Sequence, residues 1–185
     1  MKKTGKFIEL GNTLRKITYL LTDVTNPKDE LANAARNICK LLYYTQSNPL
    51  NQPQAPLLNP DHPAPEFDSL EDVREHIINK RILLVPRIFV PSEQGAFIVF
   101  IINGFHLSEN KQFKVNQLVF DVICHHDNWL LDDNLRPFVL MQQIDTIFNN
   151  RKLSIGQVEF KDANAVVLTA QHLGYQLVYR DVSFN

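Results

Sequence analysis

Three groups of residues in this chain have side-chain types and spacings that can support chemistry. Cys124, His125 and His126 are consecutive potential metal ligands. Neighbours on a strand point to opposite faces, so Cys124 and His126 are the pair that can share an ion, and a zinc site then needs two further ligands. No second Cys or His pair at a recognisable spacing supplies them, so no metal or other cofactor is expected. Asp121, Glu159 and Lys161 resemble the arrangement in which two carboxylates hold a magnesium ion and a lysine orients water, which makes a metal-dependent nuclease the enzymatic alternative. An aspartate inside an apolar strand is costly unless it pairs or sits at an edge. The segment around Glu159 also reads as an ordinary strand running into a turn, so the expectation is that Asp121 and Glu159 do not converge and that Lys161 is exposed.

The third group is an acidic corner, Asp127, Asp132 and Asp133, facing Arg136 and enclosing the single tryptophan, Trp129. Carboxylates ahead of a helix start favour its dipole, and Arg136 can pair with them locally. The same residues, exposed, can instead meet a neighbouring subunit, and a lone Trp in a polar loop is either folded back as a core anchor or an interface hot spot. Trp129, Asp127, Asp132, Asp133 and Arg136 are therefore the interface candidates. A Gly-rich phosphate loop, a nucleophile elbow and a CxxC pair are all missing from the sequence, and no catalytic residue is assigned.

With 185 residues and 44% hydrophobic content, the chain can bury a substantial core without staples. A formal net charge of −1 argues against sequence-specific nucleic-acid binding, although Lys2, Lys3 and Lys6 form a local basic cluster that a small protein-binding adaptor would use. No apolar run reaches membrane-spanning length and no signal-peptide core follows the N-terminal lysines, so assembly in a cytoplasm, without a membrane partner, is expected. Cys39 and Cys124 fit buried reduced thiols better than a disulfide.

These groups must be held by elements whose periods are readable. Leu10, Leu14, Ile17 and Leu21 mark one helix face, and Leu31, Ala35, Ile38 and Leu42 mark a second, with Asn26 as cap and Pro27 in the first turn. The segment Pro49–Pro65 holds six of the ten prolines and reads as an extended connector. Ser69 and Asp72 open a short helix through Ile77. Strands are expected at Ile82–Val90, Ala96–Phe105 and from Phe113 through His125, the last with a bulge or with both faces buried. Asn134 is the expected cap of a helix over Leu135–Asn149, whose Ile144, Ile147 and Phe148 face the sheet. Closing strands are expected at Ser154–Phe160 and Ala165–Asp181, with Gly174 as a bulge or bend. The fold class is α+β: an antiparallel sheet with a helix packed across it, in the order βββαββ, behind N-terminal helices. Residues 1–80 form a helical extension with the Pro-rich connector, and residues 81–185 the α+β domain.

From Arg81 onward, the chain resembles the tail-terminator and tail-completion (neck) proteins of tailed bacteriophages. The resemblance rests on a long strand ending at Val119–His125, Trp129, the acidic loop with Asp132 and Asp133, and the helix Leu135–Asn149 with its Arg-Pro start. It implies a structural virion protein that closes into a homo-oligomeric ring, a hexamer, capping the tail tube and joining it to the head connector. Its implied partners are other copies of the chain, the tail tube, the head-connector or neck proteins and the tail sheath. A ring of this kind closes by heterologous contacts between two different faces of each subunit.

Overall fold

The computed structural model describes residues 6–23, 30–51, 70–84, 94–107, 113–153 and 156–181. Three helices come first: α1 (Lys6–Leu20), α2 (Glu30–Tyr43) and α3 (Leu70–Lys80). They are followed by β1 (Ile82–Leu83), β2 (Ala96–Leu107), β3 (Phe113–His125), α4 (Arg136–Phe148), β4 (Arg151–Leu153), β5 (Gly156–Val167) and β6 (His172–Asp181). The strands form one six-stranded sheet in the order β1-β2-β3-β6-β5-β4, antiparallel throughout except for the short parallel pairing of β1 with β2. The architecture is therefore α+β, as the alternation of periods implies. The expected cap at Asn26 and Pro27, most of the Pro-rich connector, Ser69 and the strand beyond Leu84 lie outside the described residues.

β3 is the axis of the sheet, paired with β2 on one side and β6 on the other. Its two-sided burial follows from that position. Leu118, Phe120, Val122 and Cys124 point to the helical face, while Val119 and Ile123, on the opposite parity, are buried on the reverse face together with Phe97 and Val178. No register shift interrupts its pairing with β2.

The helical face carries the core. Ile17 and Leu21 near the end of α1, Ala35, Ile38 and Leu42 of α2, Ile77 of α3 and Leu140, Ile144, Ile147 and Phe148 of α4 join the sheet residues in one apolar cluster. Phe120 lies at its centre, with ring centroids 5.0 Å from Phe100, 4.8 Å from Phe148 and 5.9 Å from Tyr179. Because α1, α2 and α3 share this cluster with the sheet, residues before Arg81 contribute to the same core as those after it.

Three local expectations are corrected. The cap residue of α4 is Leu135, whose side chain makes no capping bond, while Asn134 Oδ1 accepts from the Leu135 amide at 2.7 Å. The span Ala165–Asp181, read as one strand, is two, because a turn at residues 168–171 joins β5 to β6. That turn has no glycine, proline or asparagine to announce it. Thr169 Oγ1 accepts from the amides of Gln171 and His172 at 3.1 Å each, so a side-chain hydroxyl does the work that turn residues usually do. Gly174 is likewise no bulge in the β3–β6 pairing, which is continuous. A Cβ there would fall 1.7 Å from the carbonyl oxygen of Val122, so only glycine lets the two backbones meet.

The apolar stripe of α4 lies where its spacing puts it, with Ile144, Ile147 and Phe148 fully buried against the sheet. Phe148→Ala is expected to lower unfolding free energy by roughly 3–5 kcal/mol in urea titration. A loss under about 1 kcal/mol would mean that the face is not packed as described.

Candidate functional site

The corner between β3 and α4 holds the residues that the sequence singles out, and the fold sorts them into separate environments. β3 ends at His125, a 3-10 turn follows over His126–Asn128, and the loop closes through an isolated bridge between Leu130 and Leu135. The Arg136 amide donates to Trp129 O at 2.8 Å, and the Leu131 amide donates to Asn134 O at 2.9 Å, so both ends of the loop are tied.

Arg136 is not at the acidic corner. Its side chain is 1% exposed and turns inward beneath the loop. Nε donates to Asn128 O at 2.7 Å, Nη1 donates to Leu41 O and Tyr44 O at 2.7 Å each, and Nη2 donates to Gln46 O. Leu41 lies in the last turn of α2, and Tyr44 and Gln46 follow directly on it, so the guanidinium gathers the carbonyls at the exit of α2. No carboxylate is among its partners in the described residues. The negative end of the α2 dipole and four carbonyl oxygens take that place. Burial lowers the Arg136 pKa from its ordinary value, and the Cys124 thiol nearby raises it in part. The local pairing expected with Asp127, Asp132 and Asp133 is thereby overturned, because the helix exit offers more acceptors to a planar five-donor fork than any single carboxylate.

The carboxylates divide. Asp132 and Asp133 are exposed, have no ionic partner among the described residues, and line an open cavity of about 250 Å³ with Ser47, Asn48, Pro49, Leu50, Asn51 and Leu131. The Asp132 amide donates to Ser47 O at 3.0 Å, which fixes the loop against the segment after α2. Asp127 belongs to a histidine cluster: Oδ1 lies 3.0 Å from His126 Nε2, and Oδ2 lies 3.5 Å from His125 Nδ1 and accepts from Gln94 Nε2 at 3.1 Å. Trp129 is half-buried and packs against the apolar core, which makes it an anchor of the loop. Its neighbour Leu130 is the exposed residue, at 68%, and Phe138 on the first turn of α4 is 41% exposed, its ring tilted against that of Tyr175 at 5.0 Å. A Trp in a polar loop gives no sign of which neighbour faces out, and only the bridge geometry shows that it is Leu130.

Two features of the metal reading change. Cys124 is buried within the core, where burial pushes its thiol up to about 12 and the Arg136 guanidinium lowers it only in part, and its sulfur is not among the ligand atoms that cluster around His126. His125 and His126 do not point apart, since the strand ends between them and their rings stack at 4.5 Å.

The nuclease-like residues do not assemble. Asp121 sits opposite Gln176, which sits opposite Asn164, whereas Glu159 lies five residues further along β5 opposite Arg180. At strand spacings, this puts Asp121 and Glu159 roughly 15–20 Å apart, far beyond two ligands of one ion with bonds of about 2.0–2.1 Å. Glu159 pairs with Arg180 at 3.7 Å, and Lys161, the extra residue at a register shift between Phe160 and Asp162, pairs with Asp162 at 3.7 Å. Asp121 accepts from Gln176 Nε2 at 2.8 Å, and desolvation raises its pKa while that hydrogen bond lowers it.

An α+β domain with helices covering one face of a mixed sheet, and an arginine-latched corner at the end of its central strand, is the class that fold and site define. The chain belongs to the YomW family, a phage-derived family whose model matches residues 35–180, from within α2 to within β6. No curated protein and no solved structure matches it.

Two variants test this geometry. Arg136→Lys keeps the charge but cannot reach the same set of carbonyls, and is expected to lose roughly 3–5 kcal/mol of stability by chemical denaturation; wild-type stability would show that the latch is dispensable. Asp121 has a folded-state pKa raised above its unfolded value, so its contribution is favourable below the unfolded pKa, near 3.8, and is lost as pH rises through the folded pKa. Asp121→Asn should therefore raise the thermal midpoint at pH 7, with the gain shrinking toward pH 4. A lower midpoint at pH 7 would contradict the desolvation argument.

Proposed function

We propose that this protein is a structural component of a phage particle that closes into a homo-oligomeric ring at the neck, capping the tail tube and joining it to the head connector. Membership of a phage-derived family supports the setting. Among the described residues, no helix is long and apolar enough to cross a membrane.

The observation that carries the ring reading is Leu130. A leucine 68% exposed on a loop tied by the Leu130–Leu135 bridge and seated over the Arg136 latch is a rigid apolar knob, suited to a complementary face on the next subunit. Phe138 on α4, tilted against Tyr175, adds exposed aromatic surface, and Asp132 and Asp133, exposed and without an ionic partner among the described residues, supply charge that sets register. A heterologous contact of this sort closes into a ring when the rotation between subunits is an integral fraction of a turn.

Electron microscopy and mass measurement of the purified chain, alone and with tail tubes, test this. The expected outcome is a ring, free or on the tube end, that Leu130→Glu prevents while leaving the monomer folded. Full assembly by Leu130→Glu would remove Leu130 from the contact. A label on this chain that falls along the tail shaft, or is missing from particles, would overturn the neck assignment.

A further inference from the structure

The end of β3 presents three metal-ligating side chains in succession. The ligand atoms of His125, His126 and Asp127 all lie within 4.8 Å of one another. His126 Nε2 is 3.0 Å from Asp127 Oδ1, and His125 Nδ1 is 3.5 Å from Asp127 Oδ2. A tetrahedral ion with bonds of about 2.0–2.1 Å separates its ligands by roughly 3.3 Å, so these spacings need only small side-chain adjustments. Among the bonds that an ion would displace or share, that from the Asp127 amide to His125 Nδ1 is 3.3 Å long and therefore weak, and that from Gln94 Nε2 to Asp127 Oδ2, at 3.1 Å, leaves Oδ1 to the ion.

The backbone beneath is rigid on both sides. The His125 amide donates to Gly95 O at 2.9 Å, and the His126 amide donates to Gln171 O at 2.8 Å, which ties the two histidines to the ends of neighbouring strands. The His172 ring stands edge-on to His125 at 4.9 Å, and Gln94 orients the Asp127 carboxylate. Ligands held in this way are ordered before an ion arrives. His126 and Asp127 are each about half exposed, with side chains 50% and 51% accessible, so an ion can enter and water can complete its shell.

We propose that His125, His126 and Asp127 bind one divalent transition-metal ion of the zinc class, through one ring nitrogen of each histidine and a carboxylate oxygen, with solvent in the remaining position. Two imidazoles and one carboxylate favour zinc, nickel, copper or cobalt over magnesium or calcium, which prefer all-oxygen shells. The site stands independently of the ring reading.

Calorimetric titration of the full chain with zinc sulfate, after chelator treatment and desalting, tests it, with far-UV circular dichroism to verify folding. One ion per chain is expected, with binding lost in His126→Ala and in Asp127→Asn and retained in His76→Ala, a histidine on α3. Cobalt should give a visible d–d absorption that disappears in Asp127→Asn. No saturable binding by the wild-type chain, or unchanged binding in both site variants, would overturn the assignment.

Discussion

The guanidinium of Arg136 joins the exit of α2 to the start of α4, and the corner of the molecule depends on that junction. A buried cation is unfavourable unless its donors are met, and here they are met by main-chain carbonyls at Leu41, Tyr44, Gln46 and Asn128. The exchange works for both sides. The last carbonyls of a helix have no partners within it, and an arginine fork carries five donors in a fixed plane. One side chain thus ends α2, fixes the 3-10 turn through Asn128 and anchors the first residue of α4. Asn37 of α2 and Gln143 of α4 add a hydrogen bond at 3.2 Å along the same interface.

The sheet gives that junction its rigid base. β3 is buried on both faces at its centre, and its end delivers His125 and the loop beyond it to the rim. At the other side of the core, Tyr179 donates to Asp145 Oδ1 at 3.1 Å, so the polar edge of α4 is also tied to the sheet. Burial and the neighbouring Asp145 carboxylate both push the Tyr179 hydroxyl well above its ordinary range, which keeps it a donor. The exposed Leu130 and the carboxylates of Asp132 and Asp133 consequently project from a braced loop, as a surface that recognises a neighbour with little ordering cost requires.

The period of side-chain burial was legible because it is local. The alternating Tyr175, Leu177 and Tyr179 lie on one face of β6, and the spacing of Ile144, Ile147 and Phe148 places all of them against the sheet. The buried thiols of Cys39 and Cys124 also follow from their places in apolar runs. Where no local signal existed, the reading failed: the hydroxyl-built turn at Thr169 carries none of the usual turn residues.

The sequence by itself determined the α+β class, the apolar faces of α2, β3 and α4, and the position of the polar corner, since all of these are encoded in spacings of two to four residues. Only the tertiary structure decided the partners. Arg136 binds carbonyls 90 to 95 residues away, which no spacing around it encodes, and so makes no ion pair with Asp127, Asp132 or Asp133. The strand register, set by pairing between distant segments, separates Asp121 from Glu159, and the exact end of β3 brings His125 and His126 together. Hydrogen-bond partners and ligand geometry depend on which distant backbone arrives at a side chain, and that is a property of the packed chain rather than of its local pattern.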